Sequence, residues 1–572
     1  MIDLHGAPWY LIQEDDAWVA STLAGMTQEE KIGQLFCLTS VDNKPATLRQ
    51  MVKKHQPGAW MHRAAPAKEL LEANRVLQEG SRLPMLIAAN LESGGNGVAV
   101  EGTHFGKQME IAATSDVTMA ERLGEVCGRE GTALGCNWAF APIVDIDNNW
   151  RNPITNVRTY GSDAETVLRM ASGYIRGMKV SCADMAYCIK HFPGDGVDER
   201  DQHLTPTVNS LSADQWRQTY GHVYKALIKG GAMTLMVGHI LQPALVLEKH
   251  PGTAVQDMLP ASISRVLMTE VLRGDLNYQG LIVTDATPML GFSAMRPRSE
   301  CLRLAIAGGA DMILFTKDAE EDYAAIREGL RTGEITQGRL DEAVTRVLAA
   351  KASLRLPQKK RRGELVPSRE GLSVLSCPQH EAWAQACADA SVTLVKDTQQ
   401  LLPVSPERMP RVRLTILGEH GSGAFGDNET VGGRLKDELE KRGFTVHVYD
   451  EATLEQGEIF TDGVQAMKDK FDLSIIAANV ATGSNNTTRR LEWITLMAAN
   501  APWYVRDIPT LLVSFANPYH LVDAPYISTY VNCYSNNRFC VSAFVNKLVG
   551  ESEFRGVSPV DPFAGIWGAK EL

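Results

Sequence analysis

Over residues 1–356 short apolar runs alternate with amphipathic stretches, and a polar or ionisable residue closes most of the runs. Strands are expected at 85–89, 140–144, 186–189, 235–237, 281–284 and 312–315. Behind five of them stand Asn90 and Glu92, Asp145 and Asp147, Lys190 and His191, His239, and Asp285. Runs with no polar alternation are what strands covered on both faces require. Chemistry repeated at successive strand C-termini is the pattern of a (β/α) barrel, whose loops on one rim share a site. The fold class this predicts is α/β, opening with an N-terminal TIM-like barrel.

Thr27-Gln28-Glu29-Glu30 is a capping box, and the helix it opens is expected to run through Ile32, Leu35 and Phe36. A helix over 340–354 ends the barrel. Pro357 to Gly363, with the basic run Lys359-Lys360-Arg361-Arg362, reads as the start of a linker over 357–372. A second alternation follows in 373–572, with strands at 413–417, 445–449, 473–478, 510–515 and 529–533 and a helix at 431–442. That half is expected to form an open α/β sheet covered on both faces.

The formal charge of −11 leaves no basic excess with which to displace counterions from a nucleic acid. The basic run at 359–362 lacks interleaved aromatics and reads as a solvated linker. The N-terminal residues carry neither a basic nor an apolar signal region, and no uncharged run has membrane-spanning length; no membrane association and a cytoplasmic location are the expectations. Ten cysteines stand singly, without metal-ligand spacing, as small buried hydrophobes of a reducing compartment. Neither a metal nor a cofactor is expected.

The densest chemistry lies in Lys190-His191-Phe192-Pro193-Gly194-Asp195-Gly196, followed by Asp201-Gln202-His203. Lys190 and His191 end an apolar strand, and the glycines open a loop that presents Asp201 and His203. Two residues apart in extended chain, those side chains share a face, so the carboxylate can hold one imidazole nitrogen while the other meets a substrate.

The block from Lys190 to His203 resembles the signature of glycoside hydrolase family 3, in particular its bacterial β-N-acetylhexosaminidase subgroup. The resemblance extends to Asn152-Pro153-Ile154 with Arg158, to Gly280 through Asp285, and to Ser391 through Lys396 with Leu401-Leu402-Pro403. It implies a retaining exo-β-glycosidase acting on β-glucosides or β-N-acetylglucosaminides. Asp285 would be the nucleophile and His203, oriented by Asp201, the acid and base. Lys190, His191 and Arg158 would grip sugar hydroxyls. Asn90 and Glu92 fall in a segment that reads Asp-x-Glu-Gly-Gly in the subgroup; here the first acid is an amide, and Asn96-Gly97-Val98 stands where an arginine is usual. Asp195 replaces a histidine. An amide and a carboxylate select different hydroxyl or acetamido patterns, so the sugar stays open at this point.

A histidine where most glycosidases place a carboxylate also admits an anionic acceptor. Inorganic phosphate is therefore expected as a co-substrate, giving a sugar 1-phosphate of retained configuration, with strict hydrolysis as the alternative. Bland readings compete with each role: Asp285 capping the turn before Pro288, Lys190 in a rim ion pair, His203 merely fixing its loop. A reading from another class is a nucleotide-binding or sugar-sensing protein on a degenerate barrel. It draws on Gly421-Ser422-Gly423-Ala424-Phe425-Gly426, a Gly-x-Gly-x-x-Gly with Asp450 further on. The helix starts late after it, and Asp427 and Glu429 would face a pyrophosphate, both of which count against a dinucleotide.

Overall fold

The computed structural model describes residues 2–40, 42–418, 430–449, 463–493 and 500–572. The chain divides into two compact units. The first comprises Met1–His104, Ala120–Asn152 and Asp163–His380; the second comprises Phe105–Met119, Pro153–Ser162 and Glu381–Leu572.

The first unit is built on a closed parallel barrel of strands β1 (Phe36–Leu38), β2 (Ala59–Met61), β3 (Leu86–Ala89), β4 (Trp138–Ala139), β5 (Ala186–Phe192), β6 (Thr234–Val237), β7 (Leu281–Ala286) and β8 (Met312–Leu314), with β1 paired to β8. Every residue of these strands is buried, as the unbroken apolar runs required. Trp138 and Phe140 pack edge to face at 4.7 Å within it.

Two barrel strands lie where helix or loop periodicity masks them. The capping box is present, Thr27 accepting from the Glu30 amide and Glu30 from the Thr27 amide, but its helix stops at Gln34 and Phe36 already begins β1. Leu35 and Phe36 are thus not helical: β1 needs Phe36 to pair with Ile313. β2 has only three residues. The fourth strand sits at Trp138–Ala139 rather than 140–144, whose residues form the rim beyond it, with Ile143 bridging Lys190.

The second unit holds a six-stranded sheet of β9 (Thr393–Asp397), β10 (Arg411–Leu417), β11 (Thr445–Tyr449), β12 (Leu473–Ala478), β13 (Thr510–Ser514) and β14 (Thr529–Asn532), in the order β9-β14-β13-β12-β10-β11. β9 runs antiparallel to β14; the other pairings are parallel. Two apolar clusters, around Leu414, Ile475 and Val513 and around Ile476, Leu512 and Tyr530, take alternate residues of the same strands and so cover both faces.

The linker expected at 357–372 is a correction. Leu356–Arg362 is a helix, started by Arg355 in a left-handed conformation and Pro357 in the first turn, and Arg369–Val374 forms a 3₁₀ turn. Both belong to the first unit, which extends to His380. The Gly421 to Gly426 loop, with Asp427, Glu429 and Asp450, lies outside the described residues. None of the ten cysteines forms a disulfide, and eight are buried. Among the described residues no helix is long and apolar enough to cross a membrane.

Candidate active site

The strands that carry the candidate groups lose register with a neighbour at the point where those groups emerge. Between β5 and β6, Ile189 faces Leu235 and Phe192 faces Val237, so β5 carries an extra residue at Lys190 and His191. Between β7 and β8, Val283 faces Met312 and Ala286 faces Leu314, so β7 carries one at Thr284 and Asp285. An extra residue re-aims the side chains it bears, which is how a strand buried on both faces turns polar groups toward the rim.

His191 is fixed from two sides. Its Nδ1 lies 2.7 Å from Asp145 Oδ2, and its backbone N–H donates to Asp145 Oδ1 at 3.1 Å. The Asp195 amide donates to the same oxygen at 2.8 Å, so Asp145 anchors both the strand end and the loop that follows. Asp195 Oδ1 takes the Gly196 N–H and the Asn152 amide, while Oδ2 is buried with no hydrogen-bond partner among the described residues. Burial, then the neighbouring Asp145 carboxylate, push the Asp195 pKa up, which favours the protonated acid.

The loop from Gly194 onward is stapled into the barrel mouth. Gly194 and Gly196 adopt positive φ, and side chains there would strike the Tyr220 ring and the Ile146 carbonyl. Further on, Asp201 Oδ1 accepts both the His203 backbone N–H at 2.9 Å and Nδ1–H at 2.5 Å. That bond favours the tautomer with its proton on Nδ1. Gln202 points the other way, its Oε1 accepting from the His239 amide at 2.8 Å, and the His203 carbonyl accepts from Gly291 beyond β7. The Asp201–His203 pair is thereby held between the ends of β6 and β7.

Asp285 is 5% exposed, yet only one of its oxygens is satisfied: Oδ1 accepts the Ala286 N–H at 2.7 Å, and Oδ2 has no hydrogen-bond partner among the described residues. Burial by itself would raise this carboxyl. The His191, His203 and His239 imidazoles outweigh it and hold the group well below the usual carboxylate range, so it is ionised. Of the three, His239 contributes least at neutral pH, because burial pushes its own pKa down to about 4. Its Nε2 lies 3.3 Å from the Ala286 carbonyl and its Nδ1 2.9 Å from Ser262 Oγ, an arrangement suited to the neutral ring.

The remaining expected residues separate. Lys190, buried, and Glu92, half-buried, form an ion pair at 2.7 Å, the rim pairing that competed with a sugar-binding role. The ammonium has two further N–H donors, so the pair does not exhaust it. Asn90 is exposed at the end of β3. Arg158 ends a 3₁₀ turn of the second unit, its Nη1 donating to the Ile154 carbonyl at 3.2 Å. Asp145, Asn152, Asp195, Gln202 and His239 are the positioning residues that sequence reasoning left without roles. Among the described residues no group of three or more His, Cys, Asp or Glu side chains is placed to hold a metal ion.

Residues 27–350 match the N-terminal domain of glycosyl hydrolase family 3. A β-N-acetylglucosaminidase/β-glucosidase of Cellulomonas fimi is 42% identical over 569 residues, 99% of this chain and 99% of that one. A solved β-glucoside phosphorylase, BglX, superimposes with a TM-score of 0.92 at 44% identity, covering 99% of both chains; the same protein bound to 2FGlc gives 0.93 at 45%, covering 98% of this chain and 99% of that one. A family 3 β-N-acetylglucosaminidase from Paenibacillus, 24% identical with a TM-score of 0.77 and coverage of 94% and 99%, shares the fold. The chain is a glycosidase that belongs to glycosyl hydrolase family 3.

Proposed function

We propose that the chain is a retaining exo-β-glycosidase acting on small β-glucosides or β-N-acetylglucosaminides through a glycosyl-Asp285 intermediate, with inorganic phosphate as the preferred acceptor. The observation that carries this reading is the Asp285 carboxylate, ionised, buried and with one oxygen unpartnered beside two fixed imidazoles. A structural carboxylate that stays ionised at that burial would have its lone pairs filled.

In the first displacement Asp285 Oδ2 attacks the anomeric carbon from the α face. The aglycone oxygen departs with a proton from His203 Nε2, and Asp201 stabilises the imidazolium while it is charged. Lys190 and His191 hold the sugar hydroxyls. In the second displacement phosphate attacks the α-linked ester from the β face, and the carbon–oxygen bond to Asp285 breaks. Two inversions return the β configuration, so the product is a β-sugar 1-phosphate; water would give the free β-sugar by the same path. The two steps need no cofactor.

His203 is the reason for choosing phosphate. A carboxylate at that position would repel an approaching anion by about 4 kcal/mol at 4 Å and an effective dielectric of 20, and a neutral imidazole does not. The phosphorylase and the β-N-acetylglucosaminidase/β-glucosidase noted above support the acceptor and the two sugars respectively. Ten cysteines without a disulfide support the cytoplasm, a reducing compartment. The test is to assay p-nitrophenyl β-glucoside and β-N-acetylglucosaminide with and without phosphate and to follow product by phosphorus NMR. Faster turnover with a new sugar phosphate resonance is expected. Free sugar at an unchanged rate would leave a strict hydrolase, and no turnover with retained sugar binding would leave a sensor.

A further inference from the structure

We infer that a cavity at the N-terminal end of the barrel strands, remote from Asp285, binds a small phosphate-bearing anion. The cavity has a volume of about 410 Å³, within the range of small-molecule sites. Its wall carries Arg265, Arg273, Arg339 and Arg346 against a single carboxylate, Glu342. Beneath it lies Asp311, immediately before β8, fully buried, with Oδ1 accepting from Arg339 and Arg346 and Oδ2 from Arg273 and the Ile282 amide.

That network fixes the guanidiniums and leaves donors on Arg346 and Arg265, whereas Arg339 spends Nε on the Ile306 carbonyl, Nη1 on Glu342 and Nη2 on the Ala310 carbonyl and Asp311. Arg346 uses Nε on the Gln279 carbonyl and Nη1 on Asp311 and Glu342, and its Nη2 has no partner among the described residues. Among the described residues Arg265 gives only Nη1, to Glu270, and its side chain is 68% exposed. Counting Asp311 and Glu270 with the wall, four guanidiniums face three carboxylates, a local positive excess in a chain of net charge −11. Burial, and the nearness of Arg346 and Arg339, push the Arg273 pKa down to about 10 even though Asp311 opposes the shift. An anion in the cavity would relieve that crowding. Guanidinium forks suit the tetrahedral oxyanion of a phosphate, and Thr269 and Gln279 on the same wall suit a hydroxylated body attached to it. Leu281 starts β7 and Asp285 stands four residues on, about 13 Å at ~3.3 Å per residue, so this site is separate from the catalytic one.

The test is equilibrium dialysis of the full chain against inorganic phosphate and against glucose 6-phosphate at fixed ionic strength. Wild type is compared with Ala307→Glu, which puts a carboxylate on the wall, and Arg265→Ser, an exposed change that folding tolerates. Ala307→Glu is expected to lose one bound equivalent and Arg265→Ser to weaken that equivalent about tenfold. Both should hydrolyse an aryl β-glucoside in phosphate-free buffer as wild type does. Any phosphate held at the catalytic site remains as a separate equivalent. Tighter binding of the ester identifies a sugar phosphate as the ligand; tighter binding of the free ion identifies phosphate. Equal binding by wild type and Arg265→Ser, or no equivalent beyond the catalytic one, overturns the proposal.

Discussion

Asp285 and Asp311 are both buried aspartates whose pKa is lowered from its ordinary value, at opposite ends of adjacent barrel strands, and they are used in opposite ways. Asp311 has both oxygens filled, by three guanidiniums and the Ile282 N–H, so its charge is spent on holding the bottom of the barrel together. Asp285 keeps an oxygen with no partner among the described residues, and its charge is sustained by imidazoles that stand beside it. Burial and a depressed pKa alone do not separate structure from chemistry. An unfilled lone pair on an ionised carboxylate does, because a fold that leaves a buried charged oxygen bare forgoes the hydrogen bonds a stabilising residue would make; the bare Oδ2 of Asp195 differs in belonging to a carboxyl that burial and Asp145 push toward its protonated form.

The sharpest way to break the comparison is to truncate both residues. Asp285→Ala should cut turnover by more than about 10⁴-fold with little loss of stability, since the covalent partner is gone. A 2-fluoro sugar should label the wild-type peptide holding Thr284-Asp285-Ala286, as mass spectrometry can show; label on another carboxylate would move the nucleophile elsewhere. Asp311→Ala should do the reverse. Three guanidiniums lose their shared acceptor, and breaking such a buried network costs about 3–5 kcal/mol, read from urea unfolding, while activity per folded molecule holds. If Asp311→Ala instead lowers turnover at unchanged stability, the two ends do not divide as argued.

His203→Ala sharpens the catalytic side. A substrate with a poor leaving group needs the proton from Nε2 and should slow by roughly 10²–10⁴-fold, whereas an activated aryl glycoside should slow far less. Equal losses on both would make His203 a residue that fixes its loop.

The two ends also differ in how far the sequence foretold them. The rim could be read because its chemistry is clustered: Lys190, His191, Asp201 and His203 lie within fourteen residues, and Asp285 follows an apolar run. The bonds that make the cluster work are long-range. Asp145 meets His191 across 46 positions, Asn152 meets Asp195 across 43 and Gln202 meets the His239 amide across 37, and no local pattern encodes such pairs. The arginines around Asp311 are dispersed over two helices or their ends and read singly as solvated charges. Similar physics explains the missed strands. β1 is three residues long and follows directly on a helix whose apolar spacing runs into it, and β2 is as short; only barrel closure defines them.

The smallest effect expected is a difference in the pH windows over which the two ends lose stability. Burial lowers the folded pKa of His239 from 6.5 to about 4, so between these values the unfolded chain binds the proton and the folded chain does not. Stability from this group is therefore complete above pH 6.5 and falls as the pH drops toward 4, with a slope of at most about 1.4 kcal/mol per pH unit. Asp311 is depressed from 3.8, its burial outweighed by Arg273, Arg346 and Arg339, so its contribution is intact above 3.8 and is lost only in more acid solution. The rim should thus begin to weaken first as the pH falls. Unfolding of His239→Asn by urea from pH 7 to 4 should show a shallower decline than wild type, while below pH 3.8 the two slopes should converge. His62 and His520, likewise pushed to about 4 by burial, titrate in the same upper window and keep part of the decline in the variant. An unchanged slope above pH 4 in His239→Asn would mean that the ring is already charged in the fold, and the neutral tautomer assigned beneath Asp285 would have to be given up.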